Sequence, residues 1–147
     1  MKKILCYVTF VLAFISFNSF AEEKKVTEEM LLGEWECEES LQEAVLDKGK
    51  FQDFGETMIS EYDYFITKRN GQLFWGEDDE ENALLPFDLE DIYKRPEYVV
   101  DDKQISQKIE YLSEDSFVMT NIYTTIDKKN NPIKKIKMVL TCDRVEE

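Results

Sequence analysis

The chain has no histidine in 147 residues, and this absence excludes more than any residue that is present. Without an imidazole there is no Ser-His-Asp or Cys-His arrangement, no histidine general base, and none of the common histidine-bearing zinc sites. Glycine is almost as scarce, with five in the chain and none clustered, so no glycine-rich phosphate loop exists. Cysteine occurs three times, and no two are spaced as a redox Cys-x-x-Cys pair. Carboxylates remain as the abundant reactive groups, but 32 acids nominate no particular pair for acid–base work. The sequence therefore carries no catalytic residue that can be named, no metal ligand set and no cofactor motif, and it reads as a non-enzyme.

What is present begins with an export signal. Lys2 and Lys3 precede an apolar run from Ile4 to Phe17, and Ser19-Phe20-Ala21 has the small-x-small form of a cleavage site. The run is shorter than the roughly 20 residues that a spanning helix needs. Cys6 lies upstream of the cleavage site, which argues against a lipoprotein anchor. Residues 1–21 are thus expected to be a signal peptide and 22–147 a single β-barrel domain, exported to the periplasm or the medium of a bacterium. Cleavage would remove two lysines and no acid from a chain of net charge −14, leaving −16. Such a surface repels nucleic acid and anionic membranes, and steers cationic proteins, peptides or metals toward it.

Loss of Cys6 would leave Cys37 and Cys142, an even pair in an exported domain, expected to form a disulfide. Each lies in a period-two alternation. Gly33, Trp35 and Cys37 alternate with Glu34, Glu36 and Glu38, and Met138, Leu140, Cys142 and Arg144 alternate with Val139, Thr141 and Asp143. If the cysteines face one another across an antiparallel pair, the first and last strands are neighbours and Trp35 falls opposite Arg144, in cation–π range. Lys135, on the same last strand, is expected to be solvated.

Between these ends the chain alternates strand and turn signals. Thr27 opens a short capped turn ahead of the first strand. Ser40-x-x-Glu43 has capping-box spacing, so 41–46 reads either as a short helix or as a continued extended segment. Residues 57–67 alternate, with Met58, Tyr62, Tyr64 and Ile66 on one face. Asn70-Gly71 then marks a two-residue hairpin that sets Ile66 opposite Trp75. The acidic stretch 77–81 lacks the spaced ligands of a calcium loop. Leu89, Ile92 and Tyr93 suggest a weak helix ended at Arg95-Pro96. A short strand at 98–100, a hairpin over 105–126 and a final strand over 133–144 complete the chain. These signals describe an all-β fold: a small antiparallel up-and-down barrel of about seven or eight strands, with one or two short helical turns and paired terminal strands.

Leu31-x-Gly33-x-Trp35 after a capped turn, with Arg144 far downstream, resembles the lipocalin-like (calycin) β-barrels. In that superfamily a Gly-x-Trp opens the first strand and a basic residue after the last strand lies across the tryptophan. The resemblance implies structural roles for Gly33, Trp35 and Arg144, and a non-enzymatic carrier of a small apolar ligand. Tyr62, Tyr64, Trp75 and Tyr111 are the aromatic candidates for lining its cavity, unless they simply fill the barrel. The second function class is an acidic protein-binding module, of inhibitor or immunity type, that neutralises a basic protein. In either class no cofactor is expected, and the protein is expected to be a monomer.

Overall fold

A computed structural model describes residues 23–77 and 84–145; the expected signal peptide and most of the acidic stretch 77–81 lie outside the described residues. The first element is α1 (Glu28–Leu31), capped by Thr27, whose hydroxyl accepts from the Met30 amide at 3.2 Å. Strand β1 (Gly33–Asp47) follows, and runs 15 residues without a break. The capping-box spacing at Ser40 is therefore overridden, and the extended alternative holds. Lys48 and Gly49, both with positive φ (49° and 77°), turn β1 into β2 (Lys50–Phe54).

Strand β3 (Met58–Arg69) turns at Asn70-Gly71 (φ 52° and 82°) into β4 (Gln72–Gly76), with Arg69 opposite Gln72 and Ile66 opposite Trp75 as expected. The short β5 (Leu85–Phe87) pairs with β4, and α2 (Leu89–Lys94), capped by Asp88, leads to β6 (Glu97–Val100). Three long strands end the chain: β7 (Lys103–Ser113), β8 (Ser116–Ile126) and β9 (Pro132–Arg144).

All pairings are antiparallel, in the spatial order β5-β4-β3-β1-β9-β8-β7-β6, with β2 against the far end of β1. The sheet curls into a half-barrel. Its terminal strands pair in the expected register, Cys37 opposite Cys142 and Trp35 opposite Arg144. They meet in the middle of the sheet, and the unpaired edges are β5 and β6, separated by α2. The meander is thus complete except at one mid-chain step.

The core gathers at one end, against the inner faces of β1, β8 and β9. Trp35, Leu31, Leu73 and Leu140 are almost fully buried there, together with the Cys37–Cys142 bridge. Trp35 meets Phe117 edge-on at 4.8 Å, and its indole N–H donates to the Leu31 carbonyl at 2.8 Å. Leu89 and Ile92 of α2 and Val26 of the leader join this core, and the Tyr93 hydroxyl ties α2 to the leader at the Val26 carbonyl, 3.1 Å away. On the convex face, the Lys135 ammonium lies 4.7 Å from the Phe51 ring centroid, so it is engaged and half-buried where solvation was expected.

Candidate functional site

The pairing register orders the inner wall into rows, from the packed end toward the open one. The first holds Tyr62, Cys37, Cys142, Phe117 and Tyr111; the second Ser60, Glu39, Leu140, Met119 and Ile109. The third holds Met58, Leu41, Met138, Asn121 and Gln107, and the fourth Glu43, Ile136, Tyr123, Ile105 and Tyr98. Side-chain alternation fixes these memberships, because Trp35 and Cys37 point inward and residues two apart share a face.

The packed end has no room for a ligand. Leu31, Trp35, Trp75, Phe117, the disulfide and their neighbours enclose a void of about 10 Å³ with an apolar lining, at most one water's space. Of the four aromatic candidates, three form a continuous inner ladder. Tyr62 and Tyr64 lie 5.9 Å apart, Tyr64 stacks on Trp75 at 5.0 Å, and Trp75 reaches Phe87 at 6.2 Å. Tyr111 stands apart on β7, where its hydroxyl donates to Glu114 at 2.9 Å and Lys24 lies over its ring.

The other half of the wall is open. Met58, on the expected face of β3, is 66% exposed, and none of the described residues covers it. Leu41, Tyr62, Tyr123, Ile136 and Met138 are half-buried on the same concave surface. Five polar side chains interrupt this wall: Ser60 and Glu43 are exposed, the Gln107 amide donates to the Arg95 carbonyl at 3.3 Å, and two others, Asn121 and Glu39, are more enclosed. Asn121 is 8% exposed, and its amide has no hydrogen-bond partner among the described residues. Glu39, one row deeper and half-buried, has neither a cation nor a hydrogen-bond donor among them. Parity with Cys37 is the sequence signal that places Glu39 inside, while Glu34, Glu36 and Glu38 point out.

The tyrosines report the same surroundings. Burial pushes the Tyr64 phenol up to about 12, with the charges of Glu39 and Glu77 adding to it. Burial also raises Tyr123, helped by Tyr98 and Glu39. A phenol raised on folding favours the native state fully below its unfolded value near 10, and that contribution is lost as pH climbs through about 12. A spectrophotometric titration of the native protein should therefore show a late phenolate step that Tyr64→Phe removes. A single step near pH 10 for every tyrosine would contradict this environment.

The convex face is different in kind. Glu36 lies opposite both Asp63 and Asp143, and Glu38 opposite Glu61, with Glu34 one step along β1. No ion pair among the described residues reaches any of these six exposed carboxylates. Like charges directly opposed across strands destabilise a sheet. No group of acidic or cysteine side chains among the described residues is arranged to hold a metal ion.

No protein-family model matches this chain, and no curated protein matches it at a significant level. Among solved structures the chain is similar to an S-type phycobiliprotein lyase from Guillardia theta, with a TM-score of 0.49 and 11% identity over 82% of this chain and 91% of that one. That neighbour is named as a lyase, against the expectation of a non-enzyme. The lack of histidine excludes histidine-based mechanisms, but it does not set a chain rich in carboxylates and tyrosines outside the enzymes.

Proposed function

We propose that this chain is an exported binding protein that takes a small, largely apolar ligand onto the open half of its concave wall. The observation that carries the reading is Asn121, a residue 8% exposed whose amide has no hydrogen-bond partner among the described residues and reaches solvent at the wall, together with the uncompensated Glu39 two strands away and one row deeper. Buried polar groups are ordinarily satisfied, and the few that point into a concave site fix a ligand's orientation. Tyr62 and Tyr123 supply ring faces on either side. The neutral hydrophobic fluorophore N-phenyl-1-naphthylamine should brighten on mixing with the wild-type protein. Leu41→Trp, which fills the third row, should abolish that response without lowering the melting temperature. An unchanged response in the filled variant would overturn the assignment.

The opposed carboxylates of the convex face favour a second reading, an acidic module for a basic protein. On that reading a lysine-rich peptide should lose affinity on joint neutralisation of Glu36, Glu38 and Asp63, and not on filling the trough. Glu36→Gln alone should raise stability by a few tenths of a kcal/mol, by relieving repulsion.

A further inference from the structure

We propose that the ligand of this trough is an organic cation, an alkyl- or aryl-ammonium group with an apolar body. This rests on the trough being the binding site and adds the class of molecule that it takes. Glu39 decides the sign. It is the half-buried carboxylate of the inner wall, and the other charges near the trough are already answered or lie at its mouth. Glu43 pairs with Lys134 at 3.1 Å. Arg95, 5.7 Å from the Tyr98 ring centroid, is held by both carboxylate oxygens of Asp91 at 2.6 and 2.8 Å. Lys103 stands at the exposed end of β7.

Each alternative ligand class meets a specific cost here. An anionic ligand would be set against Glu39 within a field of net charge −14 for the whole chain. A neutral apolar ligand would strip water from Glu39 and offer it no counter-charge, which a buried carboxylate tolerates poorly. An ammonium group answers that carboxylate directly. It also meets the rings of Tyr62 and Tyr123, half-buried on the same wall, whose quadrupoles attract cations. Asn121, without a hydrogen-bond partner among the described residues and with its amide reaching solvent, sits one row nearer the mouth, placed to hydrogen-bond a polar group on the ligand's body.

The test uses three probes of nearly one shape: benzyltrimethylammonium, its neutral isostere neopentylbenzene, and the anion phenylpropionate. Binding is followed by NMR shifts of Tyr62, Tyr123 and the Asn121 side-chain amide. The cation should bind at least tenfold more tightly than the neutral probe, and the anion should not shift these signals. Glu39→Gln should reduce the cation's preference at least fivefold, while Glu38→Gln, which removes the same charge from the convex face, should leave it intact. Equal binding of the cation and the neutral isostere would overturn the inference and leave the trough as a site for apolar ligands. Equal loss in the Glu38 and Glu39 variants would reduce the effect to net charge and overturn it as well. If no probe moves the trough signals, the trough reading itself falls.

Discussion

Replacing Cys37 and Cys142 together by alanine is expected to cost about 3–5 kcal/mol in unfolding free energy. The bridge closes a loop of sequence separation 105, nearly the whole described chain, so its absence frees the unfolded ensemble more than almost any other link could. The two cysteines are also part of the core, at 4% and 1% exposure, against Trp35, Phe117 and Leu140. Serine at both positions should cost more than alanine, because two hydroxyls would be buried without partners. The bridge joins β1 to β9 in the middle of the sheet, so its loss should weaken the whole cooperative unit and not fray an edge. Urea unfolding of the oxidised wild type and the double-alanine variant measures this. A difference under about 1 kcal/mol would show that the closed loop matters little in the unfolded state.

The legibility of the sequence follows from which faces are filled. Where the inner wall is packed, alternation is clean: Trp35 and Cys37 against Leu140 and Cys142 define a strand pair, and one assumed contact fixes the register of the rest. Asn70-Gly71 is equally plain, because only a primed turn suits that pair between alternating strands. Beyond Cys37 the pattern blurs. Inward positions there carry Glu39, Leu41 and Glu43, since the wall they line is open, and a mixed pattern is what an open wall permits. That blurring let a capping-box spacing compete with the strand, and it concealed the Lys48-Gly49 hairpin and β2. It also concealed the candidate site. Glu39 reads as one more member of an acidic run until parity with Cys37 is applied, and Asn121 lies within a strand whose buried neighbours are apolar. The position of the gap was not legible either, since it depends on β5 and β6 failing to meet across α2.

Arg144→Ala is expected to destabilise the protein by about 2–4 kcal/mol, the charged hydrogen bonds and the stacked ring both being lost. The guanidinium carbon lies 4.4 Å from the Trp35 ring centroid. Its nitrogens donate to the Leu32 carbonyl at 2.9 Å, to the Met30 carbonyl at 2.5 Å and to the Asp115 carboxylate at 3.0 Å. One side chain thus covers the indole, meets carbonyls at the C-terminal end of α1, where a positive charge is favoured, and ties the β7–β8 turn to the end of β9. Gly33 belongs to the same device. Its φ of 122° suits glycine, and a Cβ there would stand 3.1 Å from an Arg144 guanidinium nitrogen, so the space is kept for the arginine. Arg144→Lys should recover only part of the loss, because one ammonium cannot lie flat on the indole and reach three acceptors at once. Lys128→Ala, in the exposed turn before β9, is the control and should change stability by less than about 0.5 kcal/mol; Lys135 cannot serve, since it packs over Phe51. Urea midpoints and the near-ultraviolet dichroism of Trp35 should move together in Arg144→Ala. If that variant unfolds with the control, the arginine is a bystander and the indole holds its place through the Leu31 carbonyl and Phe117 alone.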